Sequence, residues 1–566
     1  MPVANLTTNP TFLNHVNSST VADFVRQVIG IWPDLTRTYV GDTLCDGCVD
    51  SFLNVNRPFV VAGGRFREPY YWDSFWIVEG LLRTQGSFTQ IARNIIENFL
   101  DYVEQFGFVP NGGRVYYLNR SQPPLLTQMV SVYVQYTNDT SILQRALPLL
   151  QREYNFWMAN QTVTVRGADN QTYTLNHYSV ENNQPRPESY REDYITANNH
   201  SYYATSGIIY PEVKPLNESE KALLYQNLAS GAESGWDYSS RWLKNPSDAV
   251  RDVYFPLRSL NTIQIVPVDL NSILYGNEVA IAGFLNQTGN ATAAQQYLNR
   301  AAQRSRAMYN LMWNETHYSY FDYNMTSSSQ NVFTIADEDA TASETAGAPA
   351  GHQVAFSPAQ FYPFWTGAAP RAVKNNPLAI RLAYERIADL LNRKAGAIAA
   401  SNLVTGQQWD QPNVWPPLQY ILVKGLLNTP ATFGTDDPDF VWTQEVALEL
   451  AQRYVDSAFC TWRVTGGATA EFPKLANSAG NGTMFEKYAD NSTNARGGGG
   501  EYTVVEGFGW SNGALIWMAD VFGQNLTTPE CGNITAANVH LRKRDAAPMA
   551  VELDKRDAAW VKMFKN

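Results

Sequence analysis

Asp237 is a carboxylic acid flanked by the aromatic residues Trp236 and Tyr238. Gly235 lies two residues before it, and Arg241 lies four residues after it. Because aromatic neighbours exclude water, they disfavour the charged form of a carboxyl group and raise its pKa. A carboxylic acid that stays protonated near neutrality can donate a proton to a leaving oxygen. Asp237 is therefore a candidate general acid, although an isolated Trp-Asp pair is also typical of a structural aspartate.

Four further stretches combine arginine, acidic, amide and aromatic side chains with glycine or proline. Arginine offers a planar set of donors and a carboxylate accepts, so together they suit sugar hydroxyl groups, which do both. Prolines stiffen such loops and lower the cost of ordering them around a ligand. The alternative to sugar binding is that the arginine and acidic residues form structural ion pairs. The last stretch could be either a stacking platform for a sugar or a rigid packed turn. The stretches are residues 63–73, 110–124, 184–190 and 408–417.

A run of four glycines, residues 497–500, lies between two more acidic residues, Glu486 and Glu501. A glycine run that binds phosphate is followed by Lys-Ser/Thr, and this one is not. We expect a mobile lid over a pocket instead. Spacing alone does not decide whether Glu486 or Glu501 is the better candidate for a catalytic base.

The composition is that of a large acidic protein of 566 residues, with 44% hydrophobic residues and a net charge of −11. This charge argues against a nucleic-acid partner. Aromatic residues make up 13% of the chain, which suits both a large core and stacking on the apolar faces of sugar rings. No apolar run is long enough to span a bilayer. The six histidines are scattered and no metal-ligand motif stands out, so we expect no membrane partner, no metal and no cofactor.

Asn-X-Ser/Thr sequons are frequent, which is typical of a secreted glycoprotein. We predict an extracellular protein with N-linked glycans, whose signal peptide has been removed or replaced, because no charged and apolar leader opens the chain. The sequons begin at Asn5, Asn17, Asn138, Asn160, Asn170, Asn199, Asn217, Asn286, Asn290, Asn314, Asn324, Asn491, Asn525 and Asn533.

Four cysteines suit up to two disulfides in an oxidising compartment. Cys45 and Cys48 have a spacing that also occurs in redox and zinc sites. No second Cys-x-x-Cys or histidine pair completes a zinc set, so we expect a disulfide-bonded loop there. The sequence leaves the pairing of all four, including Cys460 and Cys531, open.

Helical patterns dominate the chain, and strand patterns are few and short. Paired helices with long loops predict an all-α toroid with a central pocket, in which the loops carry the function. Length alone allows several domains, but closed α/α barrels also reach this size. Helices are predicted near residues 21–29, 87–103 after a Ser87-x-x-Gln90 capping box, 141–158, 219–228, 272–285, 292–313, 378–391 and 442–455.

The sequence predicts one catalytic domain over residues 1–530, with an N-terminal extension, followed by a tail over residues 531–566. Dibasic pairs in the tail are either processing sites or part of a solvated charged segment. Residues 325–351 are expected to form a poorly ordered surface excursion. The acidic residues 436–439 are expected to cap the helix near residue 442, with calcium binding as the alternative.

Taken in order, these stretches resemble the trehalase family of inverting glycoside hydrolases. Gly-Gly-Arg-Phe-Arg-Glu with Tyr-Trp-Asp from residue 63, and Gln-Trp-Asp-x-Pro-x-x-Trp-x-Pro from residue 408, look like its two signature motifs. The stretches at Arg120, Arg186, Asp237 and Glu501 match as well, so the resemblance spans roughly residues 50–520. It implies an (α/α)6 barrel that hydrolyses the disaccharide α,α-trehalose to two glucose molecules.

The resemblance also implies a role for each matching residue. Asp237 would be the general acid, and Glu486 the general base that activates water on the opposite face of the sugar ring. Inversion leaves room for this water when the two carboxyl groups are roughly 6.5–9.5 Å apart. The substrate-binding residues would be Arg65, Phe66, Trp72, Asp73, Asn111, Arg120, Ser121, Gln122, Arg186, Pro187, Glu188, Gly235, Trp409 and Glu501.

One consequence and two alternatives follow from these roles. We expect Arg241 not to pair closely with Asp237, because an adjacent guanidinium would lower the pKa of the acid. The first alternative is another inverting α-glucosidase on the same scaffold, whose open cleft would take starch-like chains. The second is a catalytically silent sugar-binding glycoprotein, which the presence of both carboxyl groups disfavours.

Overall fold

The computed structural model describes residues 1–41, 45–198, 202–203, 209–210, 215–250, 256–476, 478 and 480–531. The structure is 52% helical, which confirms the prediction of a helix-rich fold. In these ranges no helix is long and apolar enough to cross a membrane. The predicted tail beyond Cys531 and the sequons at Asn199 and Asn533 lie outside the described residues.

Seventeen α-helices lie within the described ranges. Their bounds are α1 Ser19–Ile29, α2 Trp32–Leu35, α3 Asp73–Thr84, α4 Ser87–Phe106, α5 Leu126–Thr137, α6 Leu143–Asn160, α7 Tyr190–Asn198, α8 Glu218–Ser234, α9 Val268–Gln287, α10 Ala291–Met312, α11 Ala342–Thr345, α12 Tyr362–Thr366, α13 Arg371–Lys374, α14 Pro377–Arg393, α15 Pro416–Leu427, α16 Pro438–Val464 and α17 Gly509–Phe522.

The strands of the described ranges are two to five residues long and pair antiparallel, which confirms the prediction of few and short strands. The sheets are β1–β2, β3–β4, β5–β6, β7–β10–β11, β8–β9, β12–β13 and β14–β15–β16. The bounds are β1 Thr36–Arg37, β2 Phe59–Val60, β3 Thr162–Arg166, β4 Thr172–Asn176, β5 Tyr202–Tyr203, β6 Ile209–Tyr210, β7 Ile265–Val266, β8 Trp313–Asn314, β9 Ser319–Tyr320, β10 Tyr323–Asn324, β11 Ser329–Gln330, β12 Phe333–Ile335, β13 His352–Val354, β14 Asn413–Val414, β15 Tyr488–Ala489 and β16 Ser492–Arg496.

Six helices contact one another in a closed order, from α3 through α5, α9, α12, α15 and α17 back to α3. Longer amphipathic helices pack against this set: α1 on α17, α4 on α3, α6 on α4 and α9, α10 on α9, and α16 on α15, with α14 on α16. In α4, for example, Ile91, Ile95, Phe99 and Val103 are buried along one face, as predicted. A helix with one apolar face of this kind buries that face and leaves the other in water.

Helices α3 and α17 approach each other closely at two glycines. A Cβ on Gly513 would lie 1.9 Å from the carbonyl oxygen of Trp76, and one on Gly80 would lie 2.7 Å from Gly513 Cα. Because real side chains never come this close, the crossing requires residues without a Cβ. This crossing brings together the first turns of α3 and α17, and both turns carry residues of the candidate site.

The structure corrects two predictions about local structure and confirms a third. Ser87 does not cap α4: its Oγ accepts from the N–H of Thr7 over 3.0 Å, and the helix begins after Gly86. Residues 325–351 contain β11, β12 and α11, so part of this segment forms regular elements. Asp437 does cap α16, because its side chain accepts from the N–H of Phe440 over 2.9 Å.

Both possible disulfides are formed. Cys45 bonds to Cys48, as predicted, and Cys460 bonds to Cys531. The second bond ties α16 to the chain beyond α17.

Candidate active site

A cavity of about 370 Å³ lies where α3, α15 and α17 begin. In the described part of the chain, Ser121 and Pro187 are the predicted site residues that do not line it. The predicted residues on its wall are Arg65, Phe66, Trp72, Asp73, Asn111, Arg120, Gln122, Arg186, Glu188, Gly235, Asp237, Trp409, Glu486 and Glu501.

Asp237 lies in the short segment after α8 and is reached by solvent through the cavity, although protein surrounds it. Loss of water raises the pKa of its carboxyl group to about 8, while Arg186 lowers it and Glu501 raises it further. The main-chain carbonyl oxygen of Asp237 accepts a hydrogen bond from Gln408 Nε2 over 2.5 Å. The group is therefore largely protonated at neutral pH, as its aromatic neighbours predict.

Asp73 is a second carboxyl group of the same kind. Burial raises its pKa to about 8, and the charges of Glu486 and Asp237 add to this effect. Its own N–H at the start of α3 acts in the opposite direction. Two protonated carboxyl groups thus face the cavity, and pKa alone does not decide which of them donates a proton.

Glu486 is buried just before β15, and polar groups hold both of its carboxylate oxygens. The hydroxyl of Tyr502 donates to Oε1 over 2.8 Å, and Lys487 Nζ lies 3.4 Å from Oε2. The main chain of Glu486 is fixed by a bond from its N–H to Val505 and by the indole of Trp510, which donates to its carbonyl oxygen over 2.9 Å. An ammonium and a hydroxyl both stabilise a carboxylate in its ionised form.

Arg186 and Glu501 belong to one buried ion network. The Arg186 guanidinium contacts both oxygens of Asp193, at 2.9 and 2.7 Å, and Oε1 of Glu501 at 3.2 Å. Ser189 donates to the other oxygen of Glu501 over 2.9 Å. Although burial raises the pKa of Glu501, Arg186 acts against that rise. Glu501 is thus tied to a structural arginine, whereas Glu486 is not.

Arg120 forms an ion pair with Glu188 and lies over the ring of Tyr117 at 4.9 Å. Burial alone would raise the pKa of Glu188, but Arg120 and Arg186 together lower it. Within the described ranges, Arg120 Nε and Glu188 Oε2 are buried atoms that have no hydrogen-bond partner. Other parts of both side chains line the cavity.

Ser121 and Pro187 lie behind residues that line the cavity. The N–H of Ser121 donates to Glu233 over 3.0 Å, and its hydroxyl donates to the carbonyl oxygen of Val109. Pro187 begins the 3-10 turn that follows Arg186. Their positions suit support of the neighbouring arginines rather than contact with a ligand.

Indole rings pack beneath the cavity. Trp409 and Trp415 are parallel, with ring centroids 3.9 Å apart, and Trp236 lies 5.0 Å from Trp409 on the other side. Trp409 is 2% exposed and Trp415 is 1% exposed. Both rings also line the cavity, so the stretch 408–417 is a packed turn that forms part of the cavity wall.

Arg241 does not contact Asp237, which confirms the prediction. Its guanidinium pairs with Asp269 at 2.8 and 3.1 Å and with Asp322 at 2.6 and 2.9 Å. It also lies over the ring of Trp242 at 4.4 Å. Its charge is therefore compensated within the protein and does not act directly on the acid candidate.

The family model for trehalases matches residues 2–523. The chain belongs to the trehalase family. It is 38% identical to a trehalase of Dictyostelium discoideum, over 92% of this chain and 77% of that protein. It is 34% identical to a trehalase of Apis mellifera, over 93% of this chain and 72% of the relative. The neutral trehalase Nth1 of Saccharomyces cerevisiae has a similar fold, with a TM-score of 0.54 and 21% identity over 82% of this chain and 73% of that one.

The trehalase-like motifs also contain cavity residues that the sequence analysis did not assign. Most of these residues lie inside the polar stretches described above. Their position within these stretches, and not their residue type, could have identified them as cavity residues. Glu192, Tyr502, Phe508 and Trp510 lie outside these four stretches, and Ala232 lies five residues before Asp237. The unassigned residues are Glu68, Tyr70, Arg114, Tyr116, Tyr117, Ser189, Glu192, Ala232, Trp415, Tyr502, Phe508 and Trp510. Within the described residues, no group of three or more metal-binding side chains occurs.

Proposed function

We propose that the protein hydrolyses α,α-trehalose to two glucose molecules with inversion, with Asp237 as the general acid and Glu486 as the general base. The observation that carries this proposal is that both carboxyl groups line one cavity in opposite environments. Loss of water favours the protonated form of Asp237, whereas the ammonium of Lys487 and the hydroxyl of Tyr502 contact the two carboxylate oxygens of Glu486. An inverting glycosidase needs one group of each kind.

In this mechanism Asp237 protonates the oxygen that joins the two anomeric carbons. Glu486 takes a proton from a water molecule, whose oxygen attacks one anomeric carbon from the face opposite the breaking bond. The C–O bond breaks, the attacked ring leaves as β-glucose, and the other leaves as α-glucose. The separation of roughly 6.5–9.5 Å between the two carboxyl groups stays a prediction.

The size of the cavity supports a disaccharide over a polymer. Its volume of about 370 Å³ is near the lower end of the range of roughly 300–1,000 Å³ that ligand sites cover. Arg120 and Glu188 both line the cavity, and a guanidinium and a carboxylate suit sugar hydroxyls, which accept from the first and donate to the second. We therefore assign substrate binding to the cavity residues predicted from the sequence.

Asp73 is assigned to substrate binding in this proposal, as a protonated carboxyl group that donates a hydrogen bond. At the start of α3, the carboxyl group of Asp73 accepts a hydrogen bond from the N–H of the same residue. We assign the acid role to Asp237 because the family resemblance implies it, and a comparison of Asp237→Asn with Asp73→Asn tests this choice.

The wider predictions are proposals as well. The closed order of contacts from α3 to α17 supports an inner layer of six helices in an (α/α)6 barrel, with α1, α4, α6, α10, α14 and α16 outside it. The match over residues 2–523 supports one catalytic domain up to about residue 530, followed by a tail. The two disulfides and the many sequons support a secreted glycoprotein.

The decisive experiment is incubation of the protein with trehalose, maltose or buffer, followed by proton NMR of the anomeric protons at early times. Equal amounts of α- and β-glucose from trehalose alone are expected. Release from maltose at a similar rate would favour a broader α-glucosidase, and no release from either sugar would favour a silent sugar-binding protein.

The base is tested separately by chemical rescue. Glu486→Gln should be nearly inactive, and added azide should restore turnover and give a glycosyl azide of inverted configuration. Glu501→Gln is the matched control, because Glu501 lines the same cavity. If azide rescued the Glu501 variant instead, the assignment of the base would be reversed.

A further inference from the structure

The side chains of Lys487 and Gln408 connect the two segments that carry Glu486 and Asp237. Lys487 Nζ donates to Gln408 Oε1 over 2.8 Å and lies 3.4 Å from Glu486 Oε2. Gln408 Nε2 in turn donates to the carbonyl oxygen of Asp237 over 2.5 Å. A continuous path of polar contacts therefore runs from the carboxylate of one proposed catalytic residue to the main chain of the other.

The burial of Lys487 argues that this path has a function. Its side chain is 0% exposed, and burial lowers the pKa of its ammonium group while Glu486 raises it. The ammonium lies over the rings of Trp415 at 4.6 Å and Tyr502 at 5.3 Å. A buried ion pair is weak evidence for stability, because apolar residues of similar volume often stabilise a fold as well or better.

Gln408 separates this positive charge from the acid. Its amide oxygen faces the ammonium of Lys487, and its amide N–H faces the main chain of Asp237. The ammonium thus acts first on Glu486 and to a smaller extent on Asp237. A cation placed directly beside Asp237 would favour the ionised form of the acid, whereas the same cation beside Glu486 favours the form that the base needs.

The glycine run 497–500 packs against this pair. A Cβ on Gly497 would lie 2.9 Å from Lys487 Cγ, and one on Gly500 would lie 2.8 Å from Gln408 Cβ. The N–H of Gly497 donates to the carbonyl oxygen of Lys487, and that of Gly500 donates to Gly406, each over 3.0 Å. These contacts join the run to the residues beneath it, and its mobility as a lid stays a prediction.

We propose that Lys487 and Gln408 are positioning residues, which hold the general base ionised and the general acid in register with it, and that the glycine run fixes them in place. The inference rests on the proposed function, because it takes Asp237 and Glu486 as acid and base. Neither Lys487 nor Gln408 lines the cavity, within the residues that the structure describes. Their effect should therefore appear in turnover and in its pH dependence more than in substrate binding.

The first test compares the pH profiles of kcat/KM for trehalose in Lys487→Met and in the unaltered protein. Without the ammonium, the Glu486 carboxylate loses its stabilising charge, so the acidic limb should move up by about one pH unit. The basic limb should move less in the same direction. Lys424→Met is the control, since Lys424 also lies over an indole, that of Trp517 at 5.8 Å, but outside the cavity.

An acidic limb that stays in place in Lys487→Met, in a protein with an unchanged melting curve, would overturn the charge role. A merely structural lysine would lower activity at every pH without moving either limb. If the unaltered protein releases no glucose from trehalose, the proposed function and this inference both fail. If it does so and the limbs of the variant do not move, the inference alone fails.

The second test leaves Lys487 unchanged, so it remains informative if Lys487→Met does not fold. Gly500→Ala would push a methyl group into Gln408, so kcat should fall at least tenfold while KM changes less than threefold. Gly498→Ala is the control within the run, because a Cβ there meets nothing within 4 Å. Gly289→Ala controls for backbone strain, because the φ of Gly289, +85°, is close to the φ of Gly500, +81°. A Cβ on Gly289 also meets nothing within 4 Å. Equal kcat values in the three variants would overturn the positioning role.

Discussion

Gly235 lies against the indole ring of Trp72 at the cavity wall. A Cβ on Gly235 would come within 2.6 Å of Trp72 Cζ2, and the residue has a left-handed φ of +77°. Gly235 ends α8 and stands two residues before Asp237. The path that presents Asp237 to the cavity therefore requires both a residue without a side chain and a backbone conformation that glycine adopts freely.

Replacement of Gly235 by alanine should therefore impair the site. In Gly235→Ala, the methyl group must displace Trp72 or the segment that carries Asp237, so kcat/KM for trehalose should fall by at least 100-fold. Gly283→Ala is the matched control in α9, where a Cβ meets nothing within 4 Å. That variant should keep full activity and gain about 0.5–1 kcal/mol of stability. Normal kinetics in Gly235→Ala would contradict the close contact with Trp72.

Asp237 and Asp73 can be distinguished by the same conservative change. Each asparagine variant keeps the shape of the residue and a hydrogen-bond donor but has no proton to transfer. Asp237→Asn should therefore lose at least 1,000-fold in kcat while trehalose still binds, since general acid catalysis contributes about 10²–10⁴-fold. Asp73→Asn should lose far less in kcat. The two assignments would be exchanged if Asp73→Asn were the inactive variant in single-turnover and binding measurements.

The pH dependence of kcat/KM should show a basic limb near pH 8. The proposed acid must be protonated in the free enzyme, and loss of water raises the pKa of Asp237 to about 8. Activity should thus persist through neutral pH and fall as the pH rises through about 8. A pH titration of kcat/KM between pH 5 and 10, with stability checked at each pH, measures this limb. A decline that already begins near pH 5 would contradict a raised pKa of the proposed acid.

The amphipathic helices were predictable from the sequence, and most of the central ones were not. The stretches predicted near residues 21–29, 87–103 and 292–313 correspond to α1, α4 and α10, each with one polar face. By contrast, α15 and α17 are buried on nearly all sides, so their sequences lack the 3.6-residue alternation on which such a prediction depends. Helix α3 was missed for the same reason. Helix α5 was also missed, although its buried residues recur at helical spacing.

The candidate site shows a similar division. Loop residues such as Arg186 and Glu188 stood out because polar side chains between prolines have few structural explanations. Lys487 did not stand out, since a lysine in a loop is usually solvated. Its burial depends on contacts with Gln408, which is 79 residues away in the sequence. No local pattern contains that information.

The two disulfides should differ in their effect on stability. Cys460 and Cys531 are separated by 71 residues, and constraint of a loop of this length in the unfolded chain is worth about 4 kcal/mol. Cys45 and Cys48 are separated by 3 residues, which corresponds to less than about 2 kcal/mol. Thermal melts of Cys460→Ala/Cys531→Ala and of Cys45→Ala/Cys48→Ala should show a larger drop for the first. Equal drops would contradict the loop-length argument.

Glu153 should make the protein less stable as the pH rises. This residue is buried in α6, where the hydroxyl of Tyr71 donates to it over 2.6 Å, and burial raises its pKa from 4.5 to about 7. The folded state therefore binds a proton more tightly than the unfolded state does. The resulting contribution to stability is fully present below about pH 4.5 and is lost as the pH rises through about 7.

Glu153→Gln removes this titration and keeps an oxygen that accepts from Tyr71. The melting temperature of the variant, relative to the unaltered protein, should therefore increase between pH 5 and pH 8. Glu315→Gln, at an exposed position, is the control and should give a difference that is independent of pH. Because other buried carboxyl groups titrate in both proteins, the difference between the two curves isolates the contribution of Glu153. A difference that stays constant with pH would mean that Glu153 is ionised in the folded protein at pH 5.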